Sequence, residues 1–144
     1  MMKAAALSFV AGVVLLVGGQ ADEAALKKEK ARFKGTWKIV RFENPQGEDD
    51  KLKGAEVEFD AEGGLELRHD GETKKQKYKI NPAAKPHEID IVHENDKTMR
   101  GIYRLEKDTL KICLCADSNS DQRPTEFAVK EGAPFVLVTL ERAK

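Results

Sequence analysis

Apolar and charged residues alternate one by one through much of the chain, and this alternation restricts the possible folds more than any other feature. Ile89 and Ile91, for example, alternate with Glu88 and Asp90. Successive side chains of a strand point to opposite faces, so this period places apolar groups on one face and charged groups on the other. The pattern is typical of antiparallel strands with one face against a core and one in water. Similar runs occupy 55–60, 65–69, 75–80, 88–91 and 109–114.

Turn-forming residues separate these runs. Asp70-Gly71 lies between two alternating runs and indicates a two-residue β-hairpin turn. Other turns are expected at 45–47, 62–64, 81–82, 94–96, 107–108 and 130–132. A spacing of about ten residues predicts eight or nine strands with no long helix between them. We therefore expect an all-β fold, either a sandwich or an antiparallel up-and-down β-barrel. The barrel is favoured because a closed sheet leaves no edge strand exposed.

The first 21 residues have the layout of a secretory signal peptide. Lys3 supplies a positive charge, residues 4–18 form an apolar run, and Gly19-Gln20-Ala21 places small residues before the expected cleavage site. The apolar run of about 15 residues is shorter than the roughly 20 that a membrane-spanning helix needs. We expect cleavage of residues 1–21, no membrane span afterwards, and an extracytoplasmic protein that is periplasmic or secreted.

The mature chain divides into a short leader and one barrel domain. Residues 22–33 are rich in helix-forming residues, but their apolar stripe is thin, so either a short N-terminal helix or a solvated leader fits. Residues 34–144 contain the predicted strands. The last strand, 135–141, is apolar on both faces. Its outer face is therefore expected to be covered, with the N-terminal helix as the candidate cover.

Charge balance and missing motifs argue against several classes of function. The 25 Lys and Arg equal the 25 Asp and Glu, so no basic excess exists for binding a nucleic acid. Gly-x-Ser-x-Gly, Walker A and Gly-x-Gly-x-x-Gly motifs are missing from the sequence. His87 and His93 bracket one predicted strand and would lie about 20 Å apart, too far to share a metal. We expect no enzyme activity, no cofactor and no metal site.

Cys113 and Cys115 form a Cys-x-Cys on a predicted strand. Both side chains would point the same way, with Cα atoms nearly 7 Å apart, which is at the limit of disulfide geometry. A strained reducible bridge, an ordinary structural disulfide, a packed pair and a solvent-facing pair are all compatible with this spacing. A Cys-x-x-Cys redox motif is missing, so a catalytic pair is not expected.

Gly35-Thr36-Trp37 begins the first predicted strand with the only tryptophan of the chain. The glycine lets the chain pass close to its neighbours, and the indole is expected to plug one end of the barrel. If the first and last strands pair, Arg142 lies over the Trp37 ring as a cation–π pair.

Several segments together resemble a bacterial family, abundant in planctomycetes, that is described as lipocalin-like. The similar segments are Gly35-Thr36-Trp37-Lys38, Ile89-Asp90-Ile91, the block from Gly101-Ile102-Tyr103 to Leu110-Lys111-Ile112-Cys113, and Arg123-Pro124-Thr125-Glu126-Phe127. The resemblance spans about residues 34–142. It implies a lipocalin-like barrel of an exported protein and no established activity. Cys113 matches the cysteine of the family pattern, whereas Cys115 lies outside it.

An apolar barrel interior predicts a protein that binds a small apolar or amphipathic molecule. The expected ligand-binding residues are Trp37, Phe59, Tyr78 and Tyr103, with Arg123 at the mouth for a polar head group. A structural role, in which Arg123 and Glu126 fix a loop against the barrel rim, is the alternative for Arg123. A buried phenol needs a hydrogen-bond partner, and a ligand could supply one to Tyr78 or Tyr103. Side chains can also fill an eight-stranded barrel completely. The alternative is therefore a solid protein-interaction or structural domain of the cell envelope, and a cavity of about 300 Å³ or more favours the binding protein.

Overall fold

The computed structural model describes residues 23–143. The predicted signal peptide, residues 1–21, and its cleavage site lie outside the described residues. Helix α1 (Glu23–Phe33) precedes all the strands. The strands are β1 (Gly35–Asn44), β2 (Gly47–Glu48), β3 (Glu56–Phe59), β4 (Gly64–His69), β5 (Glu72–Asn81), β6 (His87–Val92), β7 (Thr98–Leu105), β8 (Thr109–Cys115) and β9 (Phe135–Arg142). Among these residues no helix is both long enough and apolar enough to cross a membrane.

Eight of the strands close into one antiparallel barrel. β1 pairs with β3, each later strand pairs with the next, and β9 pairs back with β1. The two-residue strand β2 is an addition that pairs with the end of β1. The predicted all-β, up-and-down barrel with one short helix before it is therefore confirmed. Its closure is the arrangement that satisfies the backbone of every barrel strand on both sides.

The turn at Asp70-Gly71 sets which residues of β4 and β5 face the interior. Asp70 and Gly71 both have positive φ angles, 51° and 79°, as a type I′ hairpin turn requires. His69 consequently pairs with Glu72, and the register continues to pair Leu67 with Lys74 and Leu65 with Gln76. Directly paired residues share a face of the sheet. Since Leu65 lies in the core, Lys74 and Gln76 are also on the inner face.

Helix α1 closes one end of the barrel through Phe33. The Phe33 ring is fully buried and lies 5.3 Å from the ring centre of Phe59, 5.7 Å from Tyr78 and 4.9 Å from Tyr103. Trp37 Nε1 donates a hydrogen bond to the Phe33 carbonyl at 2.8 Å. The expectation that this helix covers the outer face of the last strand is therefore wrong. Burial of the Phe33 ring among the inward aromatic rings holds the helix at the end of the barrel instead.

The predicted pair of Trp37 and Arg142 is confirmed. The two residues are directly paired between β1 and β9, and the Arg142 guanidinium lies 4.2 Å from the centre of the Trp37 ring. Arg142 also donates to the carbonyls of Arg32 and Lys34, so it joins the end of α1 to the barrel. Gly35 has a φ of 121°, and a Cβ there would lie 3.2 Å from Arg142 Nη1. A glycine at this position allows the close approach.

A long segment between β8 and β9, residues 116–134, crosses the outer wall of the barrel and is called the strap. Cys113 and Cys115 are buried free thiols, so of the alternatives given above the packed pair is the correct one. Cys113 Sγ lies 3.7 Å from the Ala128 carbonyl oxygen of the strap, and Pro124 is fully buried. Burial raises the pKa of the Cys113 thiol, which disfavours the nucleophilic thiolate.

Candidate functional site

An apolar cavity of about 280 Å³ lies inside the barrel. Its walls come from most of the barrel strands, and they are apolar except at three positions, Lys74, Gln76 and His93. The apolar lining consists of Ile39, Phe42, Leu52, Val57, Phe59, Leu65, Leu67, Ile91, Met99, Ile112, Leu114, Ala116, Val136, Val138 and Leu140.

The cavity occupies the end of the barrel opposite helix α1, here called the open end. Phe59 forms its floor, because this ring lines the cavity and also contacts the rings of Phe33 and Tyr78. At the other extreme the lining includes Ala116 and Lys74, which are exposed to solvent. The barrel is thus divided along its axis into a filled half and a hollow half.

The filled half, here called the closed end, contains two tyrosines whose hydroxyl groups already have partners. Tyr78 Oη donates to the Asp60 carbonyl at 2.8 Å, and Tyr103 Oη donates to Glu29 Oε2 at 2.8 Å. Burial raises the pKa of Tyr78 to about 12, and the nearby Asp60 adds to this effect. Burial, followed by the hydrogen bond to Glu29, raises the pKa of Tyr103 as well. Both phenols therefore stay neutral, and neither needs a ligand as its hydrogen-bond partner.

The structure places one of the five predicted ligand-binding residues, Phe59, at the cavity. Trp37, Tyr78 and Tyr103 are on the inner face, as predicted, but they lie in the packed closed end around Phe33. The alternation identified them as interior residues, but it carries no information about which end of the barrel stays open. Contact of Trp37, Phe59, Tyr78 and Tyr103 with a ligand stays a prediction. Of these four residues Phe59 lines the cavity, so its position is the one that favours such a contact.

Arg123 lies on the outer wall rather than at the cavity mouth. Its Nη1 atom donates to the carbonyls of Gly101 at 2.8 Å and Ile89 at 3.3 Å, and it forms an ion pair with Asp90 at 2.9 Å. Glu88 lies 3.7 Å from its Nε atom. These partners belong to β6 and β7, so Arg123 fastens the strap to the outside of the barrel. A head-group contact by Arg123 stays a prediction that this position does not favour.

Three polar residues at the cavity were missed by the analysis of the sequence. Gln76 Nε2 lies 2.6 Å from His93 Nδ1, so a hydrogen bond joins the middle of β5 to the residue that follows β6. Lys74 shares their side of the cavity. The alternation of inward and outward side chains could have identified these three residues as inward-facing. Lys74 and Gln76 continue the inward series of Tyr78, and His93 continues the inward series of Ile91.

His87, the first residue of β6, and His93, the residue after β6, lie at opposite ends of the barrel. His87 packs on Tyr103 at the closed end, with Nδ1 3.0 Å from the Ala84 carbonyl oxygen. His93 lines the open end. Within residues 23–143, no three His, Cys, Asp or Glu side chains are grouped so that they could hold a metal ion.

Comparisons of the chain with protein-family models, with curated proteins and with solved structures found no match. The resemblance to a lipocalin-like family stays a prediction from the sequence. What the chain shows by itself is a closed eight-stranded barrel with one filled end and one apolar cavity.

Proposed function

We propose that this protein binds a small apolar or amphipathic molecule in the barrel and catalyses no reaction. The observation that carries the proposal is the apolar cavity of about 280 Å³ at the open end. This volume lies just below the value of about 300 Å³ at which ligand pockets usually begin, so only a small ligand fits the cavity. A cavity of about 150 Å³ holds benzene, so this one has room for roughly ten non-hydrogen atoms.

The gain from burying such a ligand is sufficient for modest affinity. Each buried methylene group contributes about 0.8 kcal/mol, so an eight-carbon chain contributes about 6 kcal/mol. That energy corresponds to a dissociation constant of roughly 40 µM before the entropy costs of association are subtracted. Because those costs amount to several kcal/mol, we expect a dissociation constant in the millimolar range for a simple eight-carbon ligand.

The alternative function, a solid protein-interaction domain, describes the closed end better than the open end. Phe33, Phe59, Tyr78 and Tyr103 fill the closed end with ring-to-ring contacts. The open end has no comparable filling among the described residues, and apolar side chains there face the cavity. An extracytoplasmic location is part of the proposal and rests on the sequence of residues 1–21.

A cavity-filling substitution tests the proposal. Met99 lines the cavity from β7, and Met99→Trp replaces its flexible side chain by a larger ring. Octan-1-ol, titrated by calorimetry, is expected to bind the wild-type protein and to bind Met99→Trp at least tenfold more weakly. Thr73→Trp is the matched control, because Thr73 is exposed on the outer face of β5. Circular dichroism checks that both variants fold.

Two outcomes contradict the proposal. One is the failure of octan-1-ol to bind the wild-type protein at millimolar concentration. The other is equal affinity of the wild-type protein and a folded Met99→Trp variant, which would place the ligand outside the cavity. Either result would favour the alternative function, a protein-interaction domain.

A further inference from the structure

We infer that the open end carries a binding site for an anionic head group, so that the ligand is an anionic amphiphile with a short alkyl chain. The inference rests on the proposed function and adds the chemical class of the ligand. Three observations support the inference: the position of the polar residues of the cavity, the second hollow beside them, and their charge.

The apolar cavity adjoins a second, polar hollow through three shared residues. The second hollow, with a volume of about 360 Å³, is lined by Lys74, Lys75, Gln76, His93, Glu94 and Asn95. Lys74, Gln76 and His93 also line the apolar cavity. A molecule with its chain in the cavity would therefore pass these three side chains where it leaves the apolar region. This is the position at which an amphiphile changes from chain to head group.

Lys74 occupies an unusual position for a lysine of strand β5. Lys75, Lys77 and Lys79 are exposed at outward positions, where charged side chains are expected. Lys74 instead pairs with Leu67 and stands on the inner face, beside the cavity. Among residues 23–143, no acidic side chain forms an ion pair with Lys74. Its ammonium group is thus available to an acidic group that enters the open end.

Gln76 and His93 add hydrogen-bond donors at the same place. With Gln76 Nε2 donating to His93 Nδ1 at 2.6 Å, a neutral His93 carries its proton on Nε2. That N–H, like the ammonium group of Lys74, can donate to a carboxylate oxygen. Of the described residues that line the polar hollow, one is acidic, Glu94, against the two lysines Lys74 and Lys75. The local charge favours an anion over a neutral or cationic head group.

Three ligands with the same chain length separate the contributions of chain and head group. Octanoate, octan-1-ol and octylammonium are titrated by calorimetry into the wild-type protein and into Lys74→Gln at pH 8. We expect Lys74→Gln to weaken octanoate binding about fivefold, which is the upper range for an exposed ion pair. Octan-1-ol binding should change less than twofold, and octylammonium should bind the wild-type protein at least fivefold more weakly than octanoate does.

Lys79→Gln is the matched control, because it removes the same charge from the outer face of the same strand. It should leave octanoate binding within twofold of the wild-type value. Added salt should weaken octanoate binding in the wild-type protein and have less effect in Lys74→Gln, because screening acts on the ion pair.

The outcomes distinguish a failure of this inference from a failure of the proposed function. If octan-1-ol binds but Lys74→Gln affects all ligands equally, or affects none, the anionic site is overturned and the binding function stands. The same holds if octylammonium binds as tightly as octanoate. If none of the three ligands binds the wild-type protein, the proposed function is overturned together with this inference.

Discussion

Tyr78 and Tyr103 show what a sequence can and cannot say about single residues. Their inward orientation was predictable, since each lies in phase with apolar neighbours along its strand. Their hydrogen-bond partners were not, because the Tyr103 partner, Glu29, is 74 residues away along the chain. A backbone carbonyl, that of Asp60, holds Tyr78. Each buried phenol therefore has a hydrogen-bond partner within the protein. Neither tyrosine needs a ligand to supply one.

The same two phenols predict a loss of stability at alkaline pH. The ordinary tyrosine pKa is 10.0, and that of Tyr78 is raised to about 12 in the folded protein. Below pH 10 both phenols are neutral in the folded and unfolded states, so their contribution to stability is fully present. Above pH 10 the unfolded chain ionises first, and the free energy of unfolding should fall as pH rises from 10 through 12. Urea unfolding measured from pH 8 to pH 12 tests this.

Tyr103→Phe serves as the control for this pH dependence, because it removes one of the two raised pKa values. Its stability at pH 8 should be lower than that of the wild-type protein, since Glu29 loses a hydrogen bond. Its further loss above pH 10 should be smaller. An identical pH dependence in the two proteins would show that Tyr103 does not resist ionisation.

At the scale of elements, the strands were predictable and their coverings were not. Alternation, together with turns such as Asp70-Gly71, indicated each barrel strand, because period and turn chemistry are local properties of the chain. The docking of helix α1 depends on Phe33, one ring in a segment with a thin apolar stripe. The strap, residues 116–134, contains neither helix nor strand, so no period marks it. Both elements are placed by tertiary contacts that a local pattern does not encode.

Arg123 is predicted to be the residue that fastens the strap. Its guanidinium group is held by the carbonyls of Gly101 and Ile89 and by Asp90, and its side chain is 23 % exposed. Arg123→Met should lower the free energy of unfolding by about 2 kcal/mol, because it leaves partly buried acceptors without a donor. It should also speed proteolysis within residues 117–122. Urea unfolding and limited proteolysis measure the two effects.

The control for Arg123 is Arg100→Met. Arg100 also contacts the strap, through the Ser120 carbonyl at 3.3 Å and through Asp121, whose side chain is almost fully exposed. An ion pair in such a position contributes less than about 1 kcal/mol. If both variants lose equal stability, or if Arg123→Met loses less than about 0.5 kcal/mol, Arg123 is not an anchor.

For the whole molecule, the closed barrel followed from the sequence but its asymmetry did not. Alternation defines the inside and outside of each strand, and it is silent about position along the barrel axis. The candidate site consequently moved from the aromatic residues at one end to the apolar cavity at the other. Only Phe59, at the boundary of the two halves, belongs to both descriptions. The alternation places Lys74 and His93 on the inner face, but whether they lie beside a cavity depends on which end of the barrel is open.

This asymmetry predicts unequal backbone protection along a single strand. Leu110 and Leu114 each lie one residue inside an end of β8, and both point inward. Leu110 is fully buried in the core, whereas Leu114 faces the cavity, where one side of it lacks contacting atoms. Sparse packing lowers the free energy of local opening. In the ligand-free protein, the amide of Leu114 should therefore exchange its hydrogen about tenfold faster than the amide of Leu110, after correction for intrinsic rates.

Phe33→Ala tests whether the packing at the closed end causes the difference. This substitution removes the ring that contacts Phe59, Tyr78 and Tyr103, so it leaves the closed end loosely packed as well. The protection of Leu110 should then fall towards that of Leu114, and the ratio of the two exchange rates should approach one. Equal protection of the two amides in the wild-type protein would mean that the cavity walls are as firmly held as the filled core. If the ratio of the two exchange rates is unchanged in Phe33→Ala, the difference in exchange arises from the backbone of β8 and not from the packing of the barrel ends.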